Sequence, residues 1–196
     1  MQNKHRALRD TILPVLRPVV GGDEIDALGK VIESGWWGKG PLVEQFELEF
    51  AKMVGAKYAV AVTSATAGQD LVFKALGLRD IHVISPTLSF MTTAAVPLWN
   101  NCSLSLADVE ADTLCISVDS VRELLRPDTK AIIAVNYAGV PADYASLREV
   151  FDGFILEDCA HSCYTDGAGK GGGCSSLVVS CDEDAACGRR RHDHDR

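Results

Sequence analysis

The chain has 196 residues, of which 47% are apolar and 23% are charged, and its formal net charge is −8. These values are ordinary for a globular protein with one core, and the acidic balance argues against a nucleic-acid partner, which would need a basic surface. The opening MQNKHRALRDTILPVLRP is interrupted by charges and prolines. It therefore predicts neither a signal peptide nor a membrane anchor, and we expect a cytoplasmic protein with no membrane partner.

Two amphipathic helices are predicted first. In GGDEIDALGKVIES, with Gly22 or Asp23 as the cap, one helical face carries Ile25, Leu28, Val31 and Ile32. In PLVEQFELEFAKMVG, where Pro41 suits the first turn, one face carries Val43, Phe46, Phe50 and Met53.

Short apolar runs then alternate with helical patterns. The runs are YAVAV (58–62), HVIS (82–85), SLSLA (103–107), AIIAV (131–135) and FIL (154–156). The helical patterns are 66–77, 90–99, 118–126 and 143–151. Strands that are apolar throughout need cover on both faces, so the alternation predicts an α/β fold with a mostly parallel sheet.

Three segments fall where such strands end, on the edge where ligands bind in parallel sheets. TSATAG (63–68) leads into a helix whose first amides could hold a phosphate. SPTLSF (85–90) ends in Phe90, and ILEDCAHS (155–162) contains Glu157, Asp158 and His161. Together they suggest a site with an anion-binding segment, an aromatic ring and a carboxylate.

Each segment also has a simpler interpretation. Ser64 or Thr66 could be an ordinary N-cap, Phe90 a core residue, and either carboxylate a solvated acid. Asp158 with His161 could bind a metal, form an acid–base pair or hold a cofactor's ring nitrogen. The Walker and Rossmann glycine patterns are absent, which disfavours the nucleotide-hydrolase and dinucleotide classes.

Seven cysteines are spaced without a disulfide framework. Those in the body of the chain are expected to be free, buried and apolar in character: Cys102, Cys115, Cys159 and Cys163.

Five segments occur in an order that resembles the DegT/DnrJ-type sugar aminotransferases, from about Leu16 to Gly172. They are SGWWGKGPLVEQFELEFA, AVAVTSATAG, ISPTLSFMTTAA, RPDTKAIIAVNYAGVPAD and FILEDCAHS. The resemblance implies pyridoxal 5′-phosphate (PLP) as cofactor. It also implies the three-layer α/β/α large domain of fold-type-I aminotransferases, here truncated.

The resemblance assigns roles to individual residues. Ser64, Ala65 and Thr66 match the segment that holds the cofactor phosphate, although family members commonly have glycine at position 65. Phe90 matches the aromatic that stacks on the pyridine ring. Asp158 matches the carboxylate that keeps the ring nitrogen protonated. His161 matches a position that contacts the oxygen side of the ring.

The resemblance also implies substrates and partners. The matching enzymes transfer an amino group from glutamate or glutamine to a nucleotide-linked keto sugar, and they work as homodimers. Trp36, Trp37 and Gly38 match a segment near the sugar-substrate entrance.

The family's chemistry depends on a Schiff-base lysine in a motif resembling SFHxxK, downstream of EDCAH. Here the only later lysine is Lys170, within GAGKGGG, so no catalytic residue is assigned and activity as an enzyme is left open. The predicted organisation is an N-terminal arm (1–21), a partial PLP-binding domain (22–172) and an aberrant, disordered tail (173–196).

A reading-frame slip near residues 172–173 would explain that tail. Residues 173–196 can be back-translated with permitted codons so that dropping the first base yields AVAVWSFHAMKTLPAGDGGMITT. Its lysine then straddles the codons of Glu183 and Asp184. CDED in the shifted frame allows only Val or Ala, then Met or Thr, then Lys or Arg.

Other interpretations of the tail and of the chain are less consistent with the sequence. Cys181 and Cys187 lack the close pairing of structural zinc sites, and the arginines of a nucleic-acid arm would not be mixed with aspartates.

The alternative functions of the chain are a non-catalytic fragment and a PLP-dependent sugar dehydratase. In that related family histidine can replace the lysine, but His192 and His194 lack the matching neighbours.

Overall fold

The structure, a computed structural model, describes residues 20–162, 165 and 177–178. Its helices are α1 (Gly22–Ser34), α2 (Pro41–Val54), α3 (Ala65–Ala75), α4 (Met91–Trp99), α5 (Val118–Leu124) and α6 (Tyr144–Val150). Its strands are β1 (His82–Pro86), β2 (Ser103–Ala107), β3 (Thr129–Val135), β4 (Phe154–Asp158) and β5 (Leu177–Val178). From α3 to β4 these elements confirm the predicted order of helices and strands.

The five strands form one sheet in the order β2-β1-β3-β4-β5, and every neighbouring pair is parallel. The predicted parallel sheet is confirmed. The direction of strand order reverses between β1 and β3, and the crevice beyond the carboxyl ends at such a point is where ligands bind. The sheet therefore presents one candidate site by topology alone.

Alternating side chains of the strands build two cores, one on each face of the sheet. On one face Ile84, Ile132 and Ile155 pack with α5 and α6, including Val121 and Leu147. On the other face a second cluster includes α3 and α4, and its members are Phe73, Val83, Val96, Cys102, Ala131, Ile133 and Leu156. This is the predicted three-layer arrangement, because each central strand is apolar on both faces.

The prediction of a strand at residues 58–62 is wrong. Tyr58 and Val60 are exposed, and none of the described strands pairs with this segment. Its hydrogen bond from Ala61 N–H goes instead to Glu47 Oε1 of α2, at 2.8 Å. An apolar run becomes a strand only where a neighbouring backbone completes the ladder, and the described part of the chain supplies none here.

The two N-terminal helices are present, but their apolar faces are not covered by the described residues. Ile25, Leu28 and Ile32 of α1 are each more than 60% exposed, and Phe46 and Met53 of α2 are about half exposed. Pro41 begins α2 as predicted. The cap of α1 is Gly21 rather than Gly22 or Asp23, because Gly21 N–H donates to Glu24 Oε2 at 2.7 Å.

Several predictions concern residues outside the described ranges. The predicted arm (1–21) lies there almost entirely, as does the tail (173–196) apart from β5, and the disorder of the tail stays a prediction. Cys102 and Cys115 are free and buried as predicted, Cys159 is buried as predicted, and Cys163 lies outside the described residues. None of the described helices is long and apolar enough to cross a bilayer.

His82 links three strands at the amino-terminal edge of the sheet. Its ring is fully buried, with Nδ1 2.7 Å from Thr129 Oγ1 and Nε2 2.9 Å from Ser105 Oγ. Burial, assisted by the Arg126 charge, lowers the pKa of His82 below its usual range. The folded protein therefore keeps this ring neutral, whereas the unfolded chain binds a proton near pH 6.5.

His82 should make the fold acid-sensitive. Its contribution is complete above about pH 6.5, and as pH falls below that value the unfolding free energy declines by at most about 1.4 kcal/mol per pH unit. Urea denaturation from about pH 7.5 to about pH 5 measures the decline. His82→Gln keeps hydrogen-bonding groups but does not titrate, so its profile should be flatter; identical slopes would contradict the prediction.

Candidate functional site

A cavity of about 200 Å³ opens at the carboxyl end of the sheet, beside the point where strand order reverses. It lies between the start of α3, the segment after β1, and the ends of β3 and β4. It is lined by Ser64, Ala65, Thr66, Gln69, Ser89, Phe90, Thr92, Thr93, Val135, Asp158, Ala160 and His161. The structure thus brings together all six predicted cofactor-binding residues from three separate segments.

The amino terminus of α3 forms one wall of the cavity. Ser64 is the N-cap, and its Oγ accepts a hydrogen bond from Ala67 N–H at 3.1 Å. The ordinary capping role is therefore real, but it uses only one of the first amides. The N–H groups of Ala65 and Thr66 have no acceptor within the helix, and they join the helix dipole in favouring an anion.

The alanine at position 65 causes no backbone strain. Ala65 is the first residue of α3, and it is not among the non-glycine residues with positive φ. Glycine's conformational freedom is thus not needed here. The neighbouring Thr66 is held by its hydroxyl, which lies 2.9 Å from Thr92 Oγ1 of α4.

Phe90 presents an exposed ring to the cavity. It precedes α4 as the N-cap, with extended backbone (φ −66°, ψ 140°), and it remains 66% exposed. A core role for Phe90 is excluded by this exposure. An apolar face left open at the rim can stack on a planar ligand.

Asp158 is the buried carboxylate of the site. It is the last residue of β4 and only 4% exposed. Its Oδ2 accepts from Gln69 Nε2 at 2.7 Å, and its Oδ1 accepts from Ala160 N–H at 3.0 Å. The solvated-acid interpretation is therefore wrong for this residue, because the carboxylate is buried and accepts hydrogen bonds from Gln69 and Ala160.

Glu157, the other carboxylate of the motif, faces away from the cavity. It is fully buried, and its Oε1 accepts from Asn136 Nδ2 at 2.8 Å. Asn136 Oδ1 in turn accepts from Ala142 N–H at 3.0 Å and from Tyr144 Oη at 2.7 Å. Burial, with the Glu157 charge next in importance, raises the pKa of Tyr144, so its hydroxyl stays a donor. This network holds the end of β4 on the side that faces away from the cavity.

His161 stands at the mouth of the cavity. Its Nδ1 accepts from Ala138 N–H at 3.3 Å, and its ring meets Tyr137 edge-on with centroids 5.5 Å apart. Ala138 has the left-handed φ of 51° in the turn after β3. Within residues 20–162, no three His, Cys, Asp or Glu side chains are grouped to hold a metal ion.

The predicted substrate residues do not join this cavity. Trp36, Trp37 and Gly38 lie between α1 and α2, and none is among the lining residues. Trp36 and Trp37 are 62% and 76% exposed. Their indole N–H groups donate to local carbonyls, those of Lys39 at 2.8 Å and Ile32 at 3.4 Å.

Gln69 is the functional candidate that sequence reasoning missed. It is 1% exposed on α3, one turn before the buried Phe73. A glutamine four residues from an apolar core position, on the same helical face, was the available signal.

The sequence profile of the DegT/DnrJ/EryC1/StrS aminotransferase family matches residues 18–180. The chain belongs to this family. Among solved structures, it is similar to the aminotransferase TlmJ from Streptoalloteichus hindustanus, with 31% identity and a TM-score of 0.72. That match covers 78% of this chain and 43% of TlmJ.

Two further similar structures carry ligand information. GDP-4-keto-6-deoxymannose-3-dehydratase (ColD), solved with GDP-perosamine, is 29% identical with a TM-score of 0.72, over 76% of this chain and 41% of that one. Spr1654 from Streptococcus pneumoniae, solved in its PLP form, has a TM-score of 0.73 at 24% identity, over 76% and 43%. The chain thus spans about two fifths of these proteins.

DegT/DnrJ/EryC1/StrS enzymes use PLP, and the cavity fits that group. A helix amino terminus suits the phosphate, an exposed phenyl ring suits the pyridine face, and a buried carboxylate suits the ring nitrogen. Two buried cavity atoms, Gln69 Oε1 and Thr93 Oγ1, lack hydrogen-bond partners among the described residues. Such atoms are expected where a polar ligand binds.

Proposed function

We propose that this chain is the cofactor-binding part of a PLP-dependent aminotransferase that acts on nucleotide-linked keto sugars. The observation that carries the proposal is one cavity holding the amino terminus of α3, the exposed ring of Phe90 and the buried carboxylate of Asp158. Family membership supports the same class of chemistry.

Each residue has a role in this proposal. The Ala65 and Thr66 amides and the Ser64 hydroxyl bind the phosphate, while Phe90 packs on one face of the ring. Asp158 accepts a hydrogen bond from the protonated ring nitrogen. This contact keeps that nitrogen positively charged. Bound PLP supplies an electron sink for the amino-transfer chemistry. His161 orients the oxygen side of the ring.

The substrate proposal rests on the relatives. ColD is solved with a GDP-linked sugar, which supports a nucleotide-linked sugar as the amino acceptor. Glutamate or glutamine is proposed as the donor. Trp36, Trp37 and Gly38 remain the proposed substrate segment. Their absence from the cavity lining is consistent with contact to a long substrate or to a second subunit.

A homodimer is proposed for the intact enzyme. The exposed apolar side chains on α1 and α2 support it, since large exposed apolar surface is typical of an interaction site. Light scattering on the full-length enzyme would test this, and a monomer at micromolar concentration would contradict it.

The chain of 196 residues is proposed not to transaminate. None of the twelve described residues that line the cavity is a lysine. The proposed frame slip near residues 172–173 would account for this, because codons permitted for residues 173–196 can encode SFHAMK in the shifted frame. Nucleotide sequence from about codon 170 onward decides the matter: codons that cannot yield SFHAMK in that frame would disprove the slip.

Cofactor binding can be tested without turnover. Pyridoxamine 5′-phosphate carries no aldehyde, so it forms no covalent adducts with surface lysines. Calorimetric titration of the full chain should show that it binds at least about tenfold more tightly than pyridoxamine, because the missing phosphate forfeits charge-assisted hydrogen bonds at α3. Equal affinities, or no binding by a chain with native circular dichroism, would overturn the proposal.

The second candidate is a PLP-dependent sugar dehydratase, favoured by the 29% identity to ColD. His192 and His194, which were considered for the histidine of that reaction, lack the matching neighbours and lie outside the described residues. With the restored downstream half and a nucleotide-linked keto sugar, transfer of nitrogen from labelled glutamate supports the aminotransferase. Loss of a sugar hydroxyl without nitrogen incorporation supports the dehydratase.

A further inference from the structure

Gln69 and Asp158 meet at the closed end of the cavity, although they are 89 positions apart in sequence. The second turn of α3 carries the glutamine and the end of β4 carries the aspartate. Both side chains are almost fully buried, and both line the cavity. The distance of 2.7 Å between Nε2 and Oδ2 lies at the short end of the ordinary range for an N–H donor to an oxygen.

The orientation of the amide depends on the ionisation of Asp158. An ionised carboxylate can only accept hydrogen bonds, so the NH₂ side of Gln69 must face it. The backbone N–H of Ala160 holds the other oxygen at 3.0 Å. Two donors on different oxygens fix both the position and the plane of the carboxylate.

These donors carry no net charge, and no lysine or arginine lies among the described residues lining the cavity. A cationic neighbour would also stabilise the carboxylate, but it would partly neutralise the charge that a ligand meets. Neutral donors stabilise the ionised form of a buried carboxylate without placing a positive charge of their own beside it.

We propose that Gln69 is a positioning residue that holds the Asp158 carboxylate ionised and aimed at the cofactor's ring nitrogen, thereby keeping the proton on that nitrogen. The inference rests on the proposed function. It adds a specific partner from α3 that acts on the ring nitrogen through the carboxylate.

Without the amide the carboxylate becomes more basic, and the proton between it and the ring shifts toward oxygen. In Gln69→Leu the ring nitrogen should therefore lose protonated character. Affinity for pyridoxamine 5′-phosphate should fall by about 10- to 100-fold, the range expected for a hydrogen bond to a charged group.

Gln69→Glu gives a signature that packing alone cannot produce. Two adjacent carboxylates repel each other, so one of them takes up a proton as pH falls. The protonated glutamic acid then donates to Asp158 as the amide did. Affinity of this variant should approach that of the unmodified chain near pH 5.5 and fall steeply toward about pH 8.

The experiment uses the full chain and pyridoxamine 5′-phosphate with an isotopically labelled ring nitrogen. Nitrogen NMR reports ring protonation, and calorimetry gives affinity across the pH range. Gln45→Leu is the matched control: it removes an amide–carboxylate hydrogen bond of the same 2.7 Å length, to Glu49, on the exposed surface of α2. The control should leave both readouts unchanged.

The outcomes separate the two proposals. If the unmodified chain binds and Gln69→Leu keeps its ring-nitrogen resonance and affinity, the role of Gln69 is refuted while the cofactor site stands. The same holds if Gln69→Glu shows no added pH dependence. If the unmodified, folded chain does not bind the probe, the proposed function fails and the role of Gln69 fails with it.

Discussion

Replacing Asp158 by asparagine is expected to weaken binding of pyridoxamine 5′-phosphate by about 100- to 4000-fold. The substituted amide would have nearly the same shape as the carboxylate but no charge, and it would offer the ring nitrogen a weaker acceptor. Removing one partner of a buried ion pair costs about 3–5 kcal/mol, which corresponds to that loss of affinity. Calorimetric titration of both proteins near neutral pH measures it.

Two measurements distinguish a specific loss of affinity from misfolding of the variant. Without ligand, Asp158→Asn should melt at the same temperature as the unmodified chain or higher, because it removes a buried charge. Asp152→Asn, at an exposed position just before β4, is the matched control and should bind normally. An affinity within about fivefold of the original, in a variant that folds, would contradict the role assigned to Asp158.

The sheet and its binding edge were predictable because the relevant signals are local. The runs at 131–135 and 154–156 are apolar at successive positions, which is typical of a strand covered on both faces. Parallel strands place their carboxyl ends together, so the residues after those runs and after the run at 82–85 had to meet. Phe90 and Asp158 therefore share a cavity, as the sequence indicated.

Features that depend on distant partners were not predictable. Residues 58–62 have strand composition but lack a paired neighbour in the described structure, so they remain irregular. The faces of α1 and α2 have the periodicity of buried helices and yet are exposed. Periodicity indicates which face of a helix should be covered, but it does not identify the element or subunit that covers it.

The two carboxylates of the ILEDCAHS motif show the same limit at the site. Alternation along β4 requires Glu157 and Asp158 to face opposite sides of the sheet, and this was available from sequence. Which side holds the cavity was not, because that depends on α3 packing across the end of β4. The same packing brings Gln69 to Asp158, so the contact could not be read from spacing.

The scaffold beneath the site depends on a small number of core contacts. Leu147 of α6 is completely buried, in the same cluster as Ile132 of β3 and Ile155 of β4. These two strands end at the cavity in Val135 and Asp158. Packing of α6 against the far face of the sheet thus holds the strand that positions the carboxylate. A substitution that weakens this packing should affect the site by lowering the stability of the sheet.

Leu147→Ala should lower the unfolding free energy by about 2–5 kcal/mol, because it removes buried methyl groups and leaves a cavity that the sheet cannot fill. Urea denaturation followed by circular dichroism should show a lower midpoint with an unchanged slope. Leu48→Ala makes the same chemical change on α2, where the side chain is 74% exposed, and should cost less than about 0.5 kcal/mol. Equal losses in the two variants would mean that Leu147 is not part of the core that supports β4.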